Sequence, residues 1–351
     1  MGALTNRERG ALAVIVVFTA LAGVTRYSGA AALLAFGAAT VALAGLAYIV
    51  SFATEQVGER FGPGVTGLLQ STLGNLPELF VVIFALRAGQ TVVAQTSIIG
   101  SIFANALLVL GLVLVVGARR SEDGMMRFSQ RLPNDTATLG LVTVFIIVII
   151  DLSVGASDNA SHHVRAISTI GAVCILAVYA AWVIPYVRGD SAGGSPHPPR
   201  VALPVSLTLL GVAGVGSAFV SDWFIHALEP SIKQLGVSQA FAGLVIVAIA
   251  GNAVENATGL VLAYKGQSDL AVSVVKNSVA QIGAFLFPVL VLISLLFSHS
   301  LTFQLRPVYA GALALTALSV WQITGDGEAA EFEGWALVAI YLILGALTIY
   351  E

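Results

Sequence analysis

The sequence predicts an all-α polytopic membrane protein with about eleven transmembrane helices, one extra helix followed by two inverted five-helix repeats. Three observations carry this expectation. The composition is 57% hydrophobic and only 10% charged, where soluble domains carry about 25% charged residues. Apolar runs near the bilayer-crossing length of about 20 residues recur along the whole chain. A polar motif inside one of these runs returns, without a gap, inside another.

Spans are read near residues 10–26, 30–52, 64–87, 92–117, 136–154, 165–187, 201–220, 238–264, 270–298, 303–323 and 334–350. The first follows Arg7 and Arg9 and contains Ala20-Leu21-Ala22, which imitates a signal-peptide cleavage site; because long apolar runs follow at once, it is read as retained. Two connections are long, SEDGMMRFSQRLPNDT and RGDSAGGSPHPPR, and the second has the Pro, Gly and Ser content of a linker. The expected organisation is an extra N-terminal helix at 1–28, a first repeat at 29–187, a linker at 188–200 and a second repeat at 201–351.

The basic residues set the orientation. With the N-terminus inside, Arg7, Arg9, Arg60, Arg119, Arg120, Arg127, Arg131, Arg188, Arg200 and Lys265 fall on the cytoplasmic side, against Arg26, Arg87, Arg165, Lys233 and Arg306 outside. The expectation is an integral, multi-pass protein of a prokaryotic plasma membrane with a cytoplasmic N-terminus. Its expected partner is the lipid bilayer; a net charge of −3 and short basic clusters give no reason for a nucleic-acid partner. The single cysteine, Cys174, lies in an apolar run and is read as a helix-packing residue.

The repeat is the specific signal. GNLPELFVVIFALRAGQ, beginning at Gly74, returns as GNAVENATGLVLAYKGQ from Gly251, 177 residues later. Gly74 and Gly251, Asn75 and Asn252, Glu78 and Glu255, Gly89 and Gly266, Gln90 and Gln267, Ala94 and Ala271, and Ser101 and Ser278 all coincide. Chance likeness between apolar helices would match Leu, Val and Ala; here the rare polar residues match. The copies lie five spans apart, and an odd separation turns the second one over in the membrane. Inverted repeats with interrupted helices are how secondary transporters build two related conformations around a midplane site.

On an ideal helix Ser71, Asn75 and Glu78 share one face at i, i+4 and i+7, and Asn252 and Glu255 pair at i, i+3. Pro77 and the Gly-Asn steps loosen the backbone ladder and free carbonyls. Two carboxylates, Glu78 and Glu255, with the amide oxygens of Asn75 and Asn252 and a few carbonyls, make a hard-oxygen metal site suited to Ca²⁺, whose charge they balance. The competing reading, a protonated or ion-paired structural carboxylate, is weaker for a repeat-matched pair than for a lone glutamate. Ser101, Asn105, Ser278 and Gln281 lie on the following helices and either line the path or hydrogen-bond helices together.

Lys276 points about 200° from Ser278 on an ideal helix and is read as snorkelling to the cytoplasmic interface, the alternative being a counter-charge for Glu78 or Glu255. His162, His163, His197, His226 and His299 lie in connections or near span ends and are read as solvated. Glu328, Glu331 and Glu333 are read as a solvated acidic cap on the last span.

At this point the chain resembles a family. ATEQVGERFGPGVTGLLQSTLGNLPEL with QTSIIGSIFANALLVLG, and LEPSIKQLGVSQAFAGLVIVAIAGNAVENATG with SVAQIGAFLFPVLVL, are similar to the two alpha repeats of proton-coupled calcium exchangers in the calcium/cation antiporter superfamily. The closing EFEGWALVAIYLILGAL resembles that family's last helix, so the likeness runs from about residue 45 onward. The resemblance implies ten core helices plus one, with Glu78 and Glu255 as the ion-binding carboxylates. It further implies Asn75 and Asn252 as neighbouring ligands or helix-break elements, and Ser101, Asn105, Ser278 and Gln281 along the path. The transported ions would be Ca²⁺ and H⁺, with no cofactor. The chain departs from the family in three places: Asn256 stands where histidine is frequent, the acidic segment between the halves is absent from 186–200, and Lys276 and Asn277 replace small residues.

The leading expectation is a Ca²⁺/H⁺ antiporter, with a Na⁺/Ca²⁺ exchanger and a passive cation channel as alternatives. Na⁺ coupling would need further oxygen clusters beside the centre, and the spans offer few acidic residues beyond the paired set. No HExxH, GxSxG or comparable constellation appears, so an enzyme is not expected.

Overall fold

A chain this apolar satisfies its backbone in hydrocarbon by closing hydrogen bonds within helices, and the structure, a computed structural model, is built that way. It describes residues 4–60, 69, 72–129, 131–188 and 200–351, with the side chains of 131–136 and 185–188 excepted. The helices are α1 (Asn6–Tyr27), α2 (Ala32–Gly58), α3 (Leu76–Arg87), α4 (Thr91–Arg120), α5 (Arg131–Ala156) and α6 (Val164–Arg188). They continue as α7 (Leu203–Leu235), α8 (Gln239–Gly251), α9 (Ala253–Tyr264), α10 (Ser268–Ser294), α11 (Pro307–Thr324) and α12 (Glu331–Ile349).

Among the described residues nine helices are long and apolar enough to cross a membrane, and the count is ten when α8 and α9, which are bent by 61° at their junction, are taken together as one broken span. Of the third expected span, 64–87, α3 supplies 12 residues, residues 69, 72 and 73 are also helical, and 64–68, 70 and 71 lie outside the described residues. The count of eleven full spans therefore exceeds what the described residues display.

Contacts between connections follow the expected alternation of faces. Arg60 donates to the Val201 carbonyl at 2.7 Å, and Arg200 pairs with Glu8 at 3.2 Å. Strands β1 (Met125–Arg127) and β2 (Glu328–Ala330) form an antiparallel pair joining the α4–α5 and α11–α12 connections. The backbone N–H of Ser129 donates to Asp269. Opposite ends meet where Gln95 donates to the Gln304 carbonyl, Leu305 N–H donates to Asp151, and Arg306 pairs with Glu351. Each contact joins ends that the alternation of spans places on one face.

The sequence repeat is also a repeat of backbone conformation. α3 and α9 have 12 residues each and begin 177 residues apart. Asn75 before α3 has φ −90° and ψ 14°, and Asn252 before α9 has φ −101° and ψ 17°. Gly89 and Gly266 end the two helices with φ of 74° and 76°, the left-handed region that glycine enters without a Cβ clash. The next helix in each half then carries a π-helical turn, Ala104–Val109 in α4 and Ile282–Leu286 in α10. Such turns widen a helix locally and concentrate at functional sites.

α2 and α7 pack along their lengths, with Phe36 and Phe224 rings 5.0 Å apart, and α1 lies against both, Gly23 facing the Trp223 ring and Gly45 facing Ile15. At 33 residues, about 50 Å, α7 runs well past the expected end at residue 220. Its continuation mixes Asp222, His226 and Glu229 on an exposed face with buried Phe224, Ile225 and Leu228, so average hydropathy underestimates it. Cys174 is exposed on α6 rather than packed between helices. The acidic cap is paired: Glu331 bonds Arg119 at 2.7 Å, Glu328 lies 3.4 Å from Arg127, and Glu333 accepts from the Ala330 N–H.

Candidate functional site

The Gly-Asn turns decide how the motif residues are presented. Each asparagine sits at the N-cap position, and Glu78 and Glu255 are the third helical residues of α3 and α9. Asn-x-x-Glu at these positions is the pattern of a capping box, in which both side chains would turn back onto the local backbone. Neither asparagine makes a side-chain cap. The side chains are left for partners elsewhere. This geometry corrects the expectation of one continuous helical face: the chain turns at Gly74–Asn75, so Asn75 and Glu78 belong to a helix start. Ser71 lies outside the described residues.

Glu78 reaches across to the second repeat. Its Oε1 accepts from Ser101 Oγ at 2.7 Å and from Asn252 Nδ2 at 2.5 Å. Asn252 Nδ2 also approaches Ser101 Oγ at 2.8 Å and the Ala248 carbonyl at 2.9 Å, while its Oδ1 accepts from Asn105 Nδ2 at 3.0 Å. Asn105, in the π turn of α4, donates to the Ser101 carbonyl as well. All four side chains are buried.

Two close backbone approaches hold this network. A Cβ at Gly100 would lie 2.5 Å from Leu244 Cα, and one at Gly243 would collide with Thr96, so α4 and α8 touch backbone to backbone. A Cβ at Gly251 would lie 2.9 Å from Glu78 Cγ and 3.0 Å from its Oε1, so the glycine of the second motif makes room for the carboxylate of the first. Beside Glu78 is a cavity of about 20 Å³, lined by Pro77, Ser97, Ser101, Gly251 and apolar side chains. That is room for one water-sized occupant.

The second half of the site is not closed. Glu255 is half-buried and within electrostatic reach of Glu78. By the repeat its network partners would be Ser278 and Asn75. Ser278 Oγ and Asn75 Nδ2 are buried without a hydrogen-bond partner. Gln281 is half-buried beside the π turn of α10. Glu78 Oε2, Asn105 Oδ1 and Asn256 Oδ1 are further buried oxygens with no partner. Unpartnered buried oxygens are costly, by about 1–3 kcal/mol each, and are what a cation would satisfy. Among the described residues no cluster of three His, Cys, Asp or Glu side chains exists, so the carboxylate share of any cation site here rests on this pair.

The structure thus brings Glu78, Ser101, Asn105 and Asn252 into direct contact, with Glu255 nearby and Asn75 at the head of α3. It does not bond Ser278 or Gln281 to them. Lys276 faces elsewhere, donating to Thr324 on α11 at 2.5 Å and 9% exposed, so it is neither a counter-charge for the glutamates nor free at the interface. Gly251 and the α4–α8 contact were not recognisable as site elements from the sequence; the glycine's repeat match with Gly74 was the one available signal.

Three comparisons agree with this architecture. The chain is 32% identical over 317 residues to the Ca(2+)/H(+) antiporter ChaA of Bacillus subtilis, covering 88% of this chain and 90% of that protein. It is 31% identical to the vacuolar calcium ion transporter of Schizosaccharomyces pombe, covering 87% of this chain and 76% of that one. The solved structure of native YfkE superposes with a TM-score of 0.80 at 27% identity, over 97% of this chain and all of that one. Residues 31–185 and 205–350 match the family described as sodium/calcium exchanger protein. With both helical halves matched, this chain belongs to the sodium/calcium exchanger protein family.

Proposed function

We propose that this chain is a secondary active transporter that exchanges Ca²⁺ for H⁺ by alternating access, with Glu78 and Glu255 as the shared binding carboxylates. The observation that carries the reading is the asymmetry of two repeat-related half-sites. Glu78, Ser101 and Asn252 are bonded together, whereas their counterparts Glu255, Ser278 and Asn75 are not. One half-site closed and its twin open is the arrangement expected of one of two conformations related by exchanging the roles of the repeats. The relatives named as Ca(2+)/H(+) antiporters favour H⁺ over Na⁺ as the coupling ion.

The chemistry follows from charge. Two carboxylates neutralised by Ca²⁺, or by protons, can be occluded in a low-dielectric protein interior; a doubly charged empty pair is too costly to occlude. Transit of the empty, charged site is thereby suppressed and exchange is enforced. The four amide and hydroxyl groups of Asn75, Asn252, Ser101 and Ser278 complete the ligand set, and Asn105 and Gln281 line the path. The chain acts as a transporter rather than an enzyme, with no cofactor. We place residues 1–28 as an extra helix, 29–187 and 201–351 as the inverted repeats and 188–200 as their linker. The N-terminus is assigned to the cytoplasm of a prokaryotic cell, on the basic-residue asymmetry.

The test is Glu78→Gln and, separately, Glu255→Gln in proteoliposomes. Each is expected to lower Ca²⁺ flux by roughly ten- to hundredfold, the scale of one lost charge-assisted contact, with the protein still folded and inserted. Near-normal flux in either variant removes the proposal.

A further inference from the structure

A second and much larger cavity, about 550 Å³, lies between α4, α5, α10 and α11 and shares no lining residue with the one beside Glu78. Its wall is apolar except for Lys276 and three threonines, Thr143, Thr316 and Thr324. Lys276 is its one charged lining residue. The Lys276 ammonium is buried, and its recorded partner is a neutral hydroxyl, the Thr324 Oγ1, which itself donates to the Val320 carbonyl. Among the described residues no carboxylate lies within ion-pair distance of Lys276 Nζ. A buried ammonium whose one partner among the described residues is a neutral hydroxyl is costly, and an anion is a ligand that relieves that cost.

The shape of the cavity identifies what would bring the anion. Three residues that line it, Leu141 on α5 and Leu318 and Trp321 on α11, are also 57%, 55% and 64% exposed on the outer surface of the bundle. The cavity therefore borders the lipid through the seam between α5 and α11. Thr324, beside Lys276, is the last residue of α11, next to the β1–β2 connection, so the charged end lies toward one membrane interface. From there the lining extends to Leu313, about 16 Å along α11. That is about half of a hydrocarbon core of roughly 30 Å, the depth of one leaflet.

We infer that this cavity seats an anionic phospholipid of the leaflet on the β1–β2 side, its phosphate beside Lys276 and one acyl chain running toward Leu313. Trp321 at the rim has the position of an interfacial aromatic anchor. The lipid would rest against α4 and α10, two of the three helices that carry π turns near the ion site, without contacting Glu78 or Glu255.

The experiment uses the purified full chain in detergent, titrated with phosphatidylglycerol or phosphatidylcholine brominated on the acyl chains, and reads the quenching that is lost in Trp321→Phe. The phosphatidylglycerol probe is expected to quench at about fivefold lower concentration than phosphatidylcholine, the scale of one basic residue acting on an anionic lipid. Lys276→Met should remove that preference. Gly140→Leu, placed where a Cβ meets nothing within 4 Å, should weaken quenching by both lipids through occupying the chain's space, and it keeps the test open if Lys276→Met does not fold. Equal quenching by the two lipids, or a preference that survives Lys276→Met, overturns the inference. Quenching by a brominated fatty acid with none by phosphatidylglycerol assigns the cavity to a free carboxylate and overturns the phospholipid.

Discussion

Asn252, at the break between α8 and α9, donates from Nδ2 to Glu78 Oε1 at 2.5 Å, tying the polar motif of the second repeat to the carboxylate of the first. The two copies of one sequence motif thus build a single site between them. The bond also makes the site sensitive to residues that never touch an ion.

Gly251 is the first such residue. Adding a methyl there places a carbon 2.9 Å from Glu78 Cγ, in a helix packed too closely to retreat. Gly251→Ala is expected to reduce apparent Ca²⁺ affinity by roughly tenfold or more, while Gly37→Ala, where the new methyl meets nothing within 4 Å, leaves it unchanged. Dye-based uptake at graded Ca²⁺ separates the two.

Asn252 and Ser101 act on the same carboxylate oxygen. Asn252→Ala leaves buried partners unsatisfied and should destabilise the protein by about 1–3 kcal/mol. Because the groups share one network, the double variant with Ser101→Ala should lose less than the sum of the singles. Additive losses in thermal unfolding would mean that the network is not cooperative.

The direction of insertion is tested by accessibility. In a Cys174→Ala background, Asp123→Cys in the β1 connection should react with an impermeant reagent only from the cytoplasm, and Ala160→Cys only from outside. The reverse pattern turns the protein over; labelling of both from one side breaks the alternation of spans.

The fold was readable where rare residues repeated. Glu78 and Glu255, Asn75 and Asn252, and Gly89 and Gly266 each match at one offset, and the backbone repeats at that same offset because turn-forming and left-handed positions constrain the chain locally. What distinguishes the two copies was not readable. The matched Glu, Asn and Ser positions gave no sign that Glu78 would be bonded and Glu255 left open; the one difference among the bonded residues is Asn105, which bonds Asn252 and has Ile282 in its place in the second repeat. Lys276 turns away from the glutamates as the helical wheel indicates, but its burial against Thr324 was missed for a related reason: that partner is 48 residues away, and a wheel gives the direction a side chain leaves but not what meets it. The end of α7 was lost because its exposed face carries charge while its buried face stays apolar.

The most direct measurement is Ca²⁺ uptake into proteoliposomes containing a Ca²⁺ dye, with the membrane potential clamped and one counter-ion gradient imposed at a time. Protons and Ca²⁺ competing for the same two carboxylates predict that an outward proton gradient drives uptake, and that lowering the pH on the Ca²⁺ side weakens apparent Ca²⁺ affinity. Uptake driven by a Na⁺ gradient at clamped pH, with none driven by protons, would contradict the account in favour of Na⁺/Ca²⁺ exchange, and flux indifferent to both gradients would contradict it in favour of a channel.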